Sequence, residues 1–374
     1  MADIIISLDP GASLSKVIYM ASGNDTHELL VMQPETIVVP TSSIENYQAT
    51  RLGVPTPEAE AWGVVDGECF VVGTLAREFL ADAGMREVKY EKAVYKVLAA
   101  IGAIKQIHCL PAKLSVSLSV LLPWNEYPDR DRFRIYLVAK LKDYTFRGER
   151  LRVKLSHFEC FPEGSGLAMS RVKTKGKEWF RERTIAIVMF GHRNTSALVF
   201  LEGKLNILHT TTSELGFHQL VDMVDRRTSG QDLNALTEAI FSAGSSITAT
   251  NPDLVRLARS KDEQNRSQEI EQIASAIAQV RTEYWRRLSA WLDITLSGVN
   301  VSEVILGGGG AHYFKRELLE HFARTPTYWG DELMRQVQSS FFSSGDNTAL
   351  AFRLLDVFGY FLYLKATLQE TLSA

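Results

Sequence analysis

Cysteine and long apolar runs are both scarce in this chain. The 374 residues include three cysteines, Cys69, Cys109 and Cys160, which are far apart and lack the spacing of metal ligands. This usage fits a reducing compartment, so we expect a cytoplasmic protein. No run of about 18 uncharged apolar residues occurs, and we expect no segment that spans a membrane. The first residues lack a basic segment followed by a long apolar one, so no secretory signal is predicted.

An excess of charge of either sign is also missing. The chain has 41 Lys and Arg residues against 44 Asp and Glu residues, which gives a formal net charge of -3. This balance provides no basic field for direct binding of nucleic acid and no acidic excess of the kind that favours disorder. The length favours two or more domains, and 45% of the residues are hydrophobic, which is ordinary for folded proteins.

Charged residues interrupt the apolar N-terminal stretch IIISLDPGASLSKVIY at a predicted turn. The runs Ile4–Ile6 and Val17–Tyr19 read as the two strands of a hairpin, with Asp9 and Lys16 at its turn. A lysine suits phosphate, whereas a carboxylate beside phosphate makes sense when a hydrated Mg²⁺ lies between them. This pattern predicts a metal–polyphosphate ligand. An Asp-Pro-Gly turn with a solvated lysine is the alternative.

Three further residues of the same turn favour an anion. Gly11 allows close approach of a ligand to the backbone, and consecutive N–H groups of such a turn can cradle phosphate oxygens. Ser13 and Ser15 add hydroxyl donors. We therefore count these residues as candidate nucleotide contacts.

A second apolar hairpin is predicted in the middle of the chain. Thr184–Val188 and Ala197–Leu201 read as strands, and the turn between them contains Gly191, Asn194 and Thr195. Glycine followed by a hydroxyl residue repeats the first turn, as expected if phosphates are bound from both halves of the chain. A polar loop with Asn194 in the left-handed conformation is the alternative.

A run of four glycines follows a short apolar strand at Val304–Leu306. Four glycines carry an entropic cost, and a flat ligand lying on the backbone at a helix N-terminus would justify it. A glycine-rich connection without a ligand is the alternative. The candidate residues here are Gly307, Gly308, Gly309 and Gly310.

Hydrophobic periodicity predicts the remaining elements. The two strand–turn–strand units suggest a duplicated α/β architecture with a cleft between the halves. The other expected elements are helices over 83–104, 130–142, 268–296 and 348–368, and strands over 115–120 and 151–158.

The order of these motifs resembles the actin/sugar-kinase/heat-shock-chaperone ATPase superfamily. Within it, the chain most resembles the bacterial actin-like plasmid-segregation proteins, the ParM/StbA group. The resemblance spans most of the chain and rests on the order and spacing of six segments, which are 9–16, 161–164, 191–195, 213–217, 304–310 and 346–349.

The resemblance implies an α/β chain with the actin-like ATPase fold, in which two related α/β domains have a nucleotide cleft between them. A first domain would span 1–170, with an inserted subdomain at about 31–110. A second domain would span 171–345. Residues 346–374 would form a C-terminal helix that returns to the first domain.

The resemblance also implies ATP and Mg²⁺ as ligands and a role for individual residues. Asp9 would hold Mg²⁺ through water, while Ser13 and Lys16 would contact phosphates. Glu163 would orient the attacking water, which makes it the catalytic candidate. The alternative for Glu163 is an acidic residue in the first turn of a helix that starts at Pro162.

The nucleoside would lie on a different part of the sequence. Gly308 and Gly309 would contact the adenine and the ribose. The predicted long helix offers Arg281 or Glu283 as polar contacts to the base or the sugar, and the sequence does not distinguish between them.

One position departs from the family pattern. The second phosphate turn usually starts with an aspartate, and this chain has Met189 there and Ser196 at a later aspartate position. A thioether cannot bind Mg²⁺ or polarise a metal-bound water. Nucleotide binding is therefore expected to survive, and ATP hydrolysis is expected to be slow.

The resemblance predicts a filament-forming protein. It would self-associate head to tail and move plasmid DNA through a DNA-binding adaptor protein, with no direct nucleic-acid or membrane contact. Two alternatives stay open at this point. One is a nucleotide-binding scaffold without catalysis, and the other is a small-molecule kinase of the same superfamily.

Overall fold

The computed structural model describes residues 2–81, 89–228, 230–342 and 347–373. The chain divides into two compact units. Unit 1 comprises residues 1–177 and 330–374, and unit 2 comprises residues 178–329. The sequence-based domains end at residues 170 and 345 instead, and that division stays a prediction.

Strands make up the sheet of each unit. They are β1 (Ile4–Pro10), β2 (Ser15–Ala21), β3 (Glu28–Met32), β4 (Thr36–Val39), β5 (Ala61–Val65), β6 (Glu68–Val72), β7 (Lys113–Leu122), β8 (Tyr144–Phe146), β9 (Glu149–Pro162), β10 (Thr184–Phe190), β11 (Thr195–Leu201), β12 (Lys204–Leu205), β13 (Thr211–Ser213), β14 (Glu303–Gly307) and β15 (Thr327–Tyr328).

Helices alternate with these strands along the chain. They are α1 (Thr41–Thr50), α2 (Thr74–Glu78), α3 (Lys89–Ile107), α4 (Arg130–Leu141), α5 (Ser165–Lys175), α6 (Lys177–Arg181), α7 (Phe217–Asp225), α8 (Leu233–Ala243), α9 (Pro252–Val255), α10 (Glu263–Thr295), α11 (Gly309–Tyr313), α12 (Lys315–His321), α13 (Asp331–Phe341) and α14 (Thr348–Ser373), with a 3₁₀ helix at Trp124–Asp129.

The sheet of unit 1 has the strand order β3-β2-β1-β7-β9-β8-β5-β6-β4 in the described part of the chain. The β1–β7 and β7–β9 pairs are parallel, and the β1–β2 pair is antiparallel. Ile4, Ile6 and Leu8 lie on one face of β1 and belong to the same buried cluster as Val97 and Ile101 of α3. The period-2 pattern of the strand thus meets the helical pattern of α3 in the core.

The sheet of unit 2 has the order β12-β11-β10-β14-β15, and β13 also pairs with β11. Its central hairpin repeats that of unit 1. β1, β2, β10 and β11 each have seven residues, and residues 11–14 and 191–194 connect them. In both hairpins the first strand also pairs in parallel with a later strand, β7 or β14. The two predicted hairpins are therefore confirmed.

The long predicted helices are also confirmed, with shifted ends. The helix expected over 130–142 is α4, and those expected over 268–296 and 348–368 are α10 and α14. The helix expected over 83–104 continues to Ile107, while its predicted start lies outside the described residues. No helix in the described ranges is both long and apolar enough to cross a bilayer.

The expected helix start at Pro162 is wrong. Pro162 is the last residue of β9, and α5 begins at Ser165. The intervening Gly164 has φ 97°, a left-handed conformation that glycine tolerates and that separates the strand from the helix. Glu163 therefore lies in a turn before the helix and is not in its first turn.

Candidate functional site

The turn of the first hairpin places two opposite charges together. Asp9 and Lys16 are directly opposite each other in the antiparallel register, so their side chains share one face of the sheet. The Lys16 Nζ lies 2.5 Å from Asp9 Oδ2, and Asp9 is only 8% exposed. The two residues predicted for the metal and the phosphate are thus brought together, as an ion pair.

A buried lysine fixes the backbone of the same turn. Lys96 of α3 donates hydrogen bonds to the carbonyls of Pro10 (3.3 Å) and Gly11 (3.2 Å). In a trans peptide the N–H points away from the C=O, so the N–H groups of Gly11 and Ala12 point away from Lys96. Gly11 is required here because a Cβ would lie 2.5 Å from the Leu14 carbonyl oxygen.

The last helix also reaches this turn, a contact that the sequence analysis missed. Arg353 Nη2 of α14 donates a hydrogen bond to Ser13 Oγ at 2.9 Å. Burial lowers the pKa of the Arg353 guanidinium, and the negative charge of Asp9 acts in the opposite direction. One feature of the sequence could have pointed to Arg353. It and Asp356 are the charged residues in the otherwise apolar stretch 349–362.

Ser15 is separated from the other candidates of the first turn. Alternate residues of a strand face opposite sides, and Ser15 shares its side of β2 with Val17 and Tyr19 of the core. Its Oγ is fully buried and has no hydrogen-bond partner in the described structure. The Ser15 side chain therefore faces away from Asp9 and Lys16.

Asp356 holds the turn that follows Glu163. Its carboxylate accepts hydrogen bonds from the backbone N–H groups of Gly164 (2.7 Å), Gly166 (2.8 Å) and Leu167 (3.2 Å). These N–H groups belong to the start of α5, whose first amides have no partner inside the helix. The half-buried Glu163 is thereby fixed between this cap and the end of β9.

The environment of Asp356 changes its protonation. Burial raises the pKa of Asp356 to about 7, the N–H groups of Gly164 and Leu167 lower it, and the charges of Asp9 and Glu163 raise it further. The Asp9 and Glu163 carboxylates are thus near enough to Asp356 to act on it. Helix α14 thus reaches both turns, because Arg353 hydrogen-bonds Ser13 and Asp356 accepts from the Gly164 N–H.

We expect this shift to appear as a pH dependence of stability. Because the folded pKa lies above the value of 3.8 in the unfolded chain, the folded state binds the proton more tightly, and stability falls as the pH rises from about 4 to 7. The unfolding free energy of wild type minus that of Asp356→Asn should fall by about 1–3 kcal/mol between pH 5 and 8. Urea denaturation at both pH values measures this difference. A difference that does not change with pH would contradict the assignment.

The turn of the second hairpin is bound to the segment that follows it. Thr195 Oγ1 donates to the Leu215 carbonyl at 2.5 Å, and Phe217 N–H donates to the Gly191 carbonyl at 3.1 Å. The hydroxyl hydrogen of Thr195 is therefore already used within unit 2. Asn194 is buried and does not have a positive φ, so the left-handed alternative for this residue is wrong.

Met189 occupies the position in the second hairpin that Asp9 occupies in the first. It lies opposite Ser196 in the register, as Asp9 lies opposite Lys16, and it also pairs with Gly307 of β14. The thioether is 8% exposed. The second hairpin therefore has no charged pair at the position of the first.

Two of the four glycines at 307–310 are required by packing on Phe190. A Cβ on Gly308, which has φ 90°, would lie 2.3 Å from the Phe190 carbonyl oxygen, and a Cβ on Gly310 would lie 2.3 Å from its ring. These glycines have a structural role with or without a ligand. Gly307 is the buried last residue of β14, and the partly exposed Gly309 begins α11.

Arg281 and Glu283 of the long helix make contacts within unit 2. Arg281 pairs with Glu317 and lies over the rings of Tyr313 and Phe314. Glu283 pairs with Arg227 and with Arg287, at 2.7 Å in both cases. Contacts of either residue to a base or a sugar would compete with these pairs.

The described residues contain no group of three or more His, Cys, Asp or Glu side chains suited to a metal. Hydrated Mg²⁺ needs fewer protein ligands than such a group provides, because it keeps several waters and takes one or two carboxylates. Asp9 fits that requirement in its chemistry, although its carboxylate is paired with Lys16. A cation at Asp9 would release the Lys16 ammonium for an anion.

Comparisons with known proteins give matches in structure alone. No protein-family model matches the chain, and no curated protein matches it in sequence. The archaeal actin homologue Ta0583 is similar, with a TM-score of 0.62 and 13% identity over 97% of this chain and 99% of that one. ParM in a 15-stranded filament from Clostridium botulinum has a TM-score of 0.59 and 12% identity over 98% and 100% of the two chains.

A third similar structure is Bacillus thuringiensis ParM with AMPPNP, with a TM-score of 0.58 and 12% identity over 98% of this chain and 99% of that one. Matches of this extent cover the strands and helices of both units. The expectation of a mixed α/β fold of the actin type is therefore confirmed. This chain has the actin-like fold of the ParM type.

Proposed function

We propose that this chain is a cytoplasmic actin-like protein that binds ATP with Mg²⁺ and assembles into filaments. The observation that carries the proposal is the charged turn of the first hairpin, with Asp9 and Lys16 paired beside the partly buried Arg353. Similar structures support it. The archaeal actin homologue was solved in complex with ADP, a ParM was solved with AMPPNP, and another ParM forms a filament.

The residues of unit 1 would act on the phosphate end of the nucleotide. Asp9 would hold Mg²⁺ through water, and Ser13, Lys16 and the Gly11 backbone would bind phosphate oxygens. When bound, Mg²⁺ neutralises phosphate charge. Glu163, held by the cap on α5, would accept a hydrogen bond from the attacking water and orient it. In phosphoryl transfer such positioning and neutralisation are the main contributions of the protein.

The residues of unit 2 would contribute mostly through the backbone. Asn194 would present its N–H group to phosphate, and Thr195 would do so through its N–H because its hydroxyl hydrogen is used. The Gly191 N–H already donates to the Asn194 carbonyl at 2.9 Å, so Gly191 would contribute by allowing close approach of the phosphate. The glycines 307–310 would contact the nucleoside. Ser15, with its side chain on the core side of β2, would contribute its backbone.

Assembly is the first test of this function. Purified protein at up to tens of micromolar should scatter more light with Mg²⁺ and ATP than without nucleotide, and negative-stain microscopy should show filaments. A heterologous contact that does not close produces such open assemblies. Monomers at every concentration, with nucleotide bound, would contradict filament formation. If filaments form, co-sedimentation of candidate DNA-binding adaptors with them would test the proposed role in plasmid segregation.

Met189 favours a second candidate, a nucleotide-binding scaffold with little or no hydrolysis. The first hairpin has a carboxylate at this position, and the second has a thioether that cannot ligate Mg²⁺. Calorimetry that shows tight ATP binding without phosphate release would support this candidate. A small-molecule kinase is the remaining alternative, and ADP release stimulated by a sugar or an acid would reveal it.

We expect Met189→Asp to raise phosphate release by about tenfold or more, because it restores a second carboxylate to the phosphate site. Met189→Leu is the matched control, since it keeps an apolar side chain of similar volume, and it should leave turnover unchanged. A thermal melt of both variants checks folding. Unchanged turnover in a folded Met189→Asp protein that still binds ATP would contradict the role assigned to this position.

A further inference from the structure

We propose that Arg353 is a phosphate-binding residue of the nucleotide site, supplied by the last helix. The inference rests on the proposed function and extends it to a residue that neither the motifs nor the turn pattern identify. Arg353 is close to the N-terminal end of α14, and its Nη2 is 2.9 Å from Ser13 Oγ in the candidate phosphate turn.

The guanidinium has more donors than partners. It carries five N–H groups, and the hydrogen bond to Ser13 uses one. No carboxylate of the described residues forms a salt bridge with Arg353. Burial also lowers the pKa of its guanidinium. Asp9, the nearby carboxylate that attracts it, is paired with Lys16 instead. Arg353 is partly exposed, so its remaining donors are available to hydrogen-bond an anionic ligand.

The fold fixes the backbone of Arg353 beside the candidate phosphate turn. α14 packs along β1 and β2 of unit 1 and crosses α5 in close contact. At that crossing, a Cβ on Gly359 would lie 2.5 Å from the Gly166 carbonyl oxygen, and a Cβ on Gly166 would lie 1.8 Å from the Asp356 carbonyl oxygen. The backbone of Arg353 is therefore fixed beside residues 11–14.

The chemistry of the position favours phosphate over other anions. The planar guanidinium can donate two parallel hydrogen bonds to phosphate oxygens, which a lysine cannot do. The same turn offers the Ser13 hydroxyl and the Lys16 ammonium on the face of Asp9. A polyphosphate that binds Lys16 would thus find the Arg353 donors next to it.

The alternative is a structural role, in which Arg353 only fixes Ser13. The two roles differ in whether the loss of phosphate binding exceeds the loss caused by removing the Ser13 hydroxyl. If Arg353 binds phosphate, Arg353→Gln should raise the Kd for Mg·ATP by about tenfold or more and leave the affinity for adenosine unchanged. Arg353→Lys should recover part of the loss, because lysine restores the positive charge but cannot donate two parallel hydrogen bonds to a phosphate. If the role is structural, Arg353→Gln should weaken the binding of phosphate ligands no more than Ser13→Ala does.

Isothermal titration of the full chain with Mg·ATP, magnesium tripolyphosphate and adenosine makes this comparison. Arg132→Gln, a change at an exposed arginine of α4, is the control and should bind all ligands as wild type does. A thermal melt confirms that each variant is folded. Equal affinity of wild type and Arg353→Gln for both phosphate ligands would overturn the inference.

The same titration separates this inference from the proposed function. Wild type that binds tripolyphosphate but no purine nucleotide would contradict the proposed function, while a loss of tripolyphosphate binding in Arg353→Gln would still support the phosphate contact. Wild type that binds neither would contradict both.

Discussion

Gly166→Ala is expected to lower the free energy of unfolding by about 3 kcal/mol or more. The added methyl would lie 1.8 Å from the Asp356 carbonyl oxygen and 2.6 Å from the Tyr360 nitrogen. Both atoms belong to the backbone of α14, so no side chain can rotate away, and the two helices must separate. Separation would also weaken the hydrogen bonds of the Asp356 carboxylate to the start of α5.

Urea denaturation measures this effect, with Lys173→Ala as the control. Lys173 is exposed on the same helix, and its change to alanine should shift stability by less than about 0.5 kcal/mol. Gly359→Ala should act in the same direction as Gly166→Ala, because its methyl would lie 2.5 Å from the Gly166 carbonyl oxygen. A loss below about 1 kcal/mol for Gly166→Ala would show that the helices do not cross so closely.

Glu163→Ala is expected to reduce phosphate release by about 10²–10⁴-fold, the usual contribution of a positioned acid–base group. The affinity for a non-hydrolysable ATP analogue should remain within about twofold of wild type, because the turn of the first hairpin supplies the phosphate contacts. Single-turnover phosphate release and isothermal titration measure the two quantities separately.

Two further variants sharpen the Glu163 experiment. Glu163→Gln keeps the shape and removes the charge, so it should lose hydrolysis as Glu163→Ala does. Glu182→Gln changes an exposed acid and should hydrolyse ATP at the wild-type rate. Phosphate release by Glu163→Ala at the wild-type rate would remove this residue from its assigned role.

Local patterns in the sequence were sufficient to predict the hairpins of both units. Each has two apolar seven-residue strands around a short polar turn, and pairing between neighbours in the sequence needs no information about distant residues. The face of Ser15 could also have been predicted, because it is two residues from the core residue Val17. The hydroxyl residues of the turn favour Ser15 as a phosphate donor, whereas the strand alternation places its side chain in the core.

Contacts between distant segments could not be predicted in this way. Arg353 reaches Ser13 across most of the chain, and Asp356 reaches the turn after Glu163, so neither pairing appears in any local pattern. Packing also changed one interpretation. Gly308 was predicted as a ligand contact, and the structure shows that it is also required by the backbone of Phe190.

The helix start at Pro162 shows how two local rules can conflict. Proline favours the first position of a helix, yet Pro162 is here the last residue of the 14-residue strand β9. Gly164 then takes the left-handed conformation that turns the backbone between β9 and α5. The alternation over 151–158 predicted the middle of this strand and not its end.

Binding of Mg·ATP by this chain is best measured by titrating the wild-type protein with a non-hydrolysable ATP analogue, with and without Mg²⁺. We predict binding with a Kd of about 10⁻⁵ M or lower in the presence of Mg²⁺, and weaker binding when EDTA removes the ion or when Asp9 is changed to alanine. No heat of binding and no thermal shift with any purine nucleoside triphosphate would contradict it.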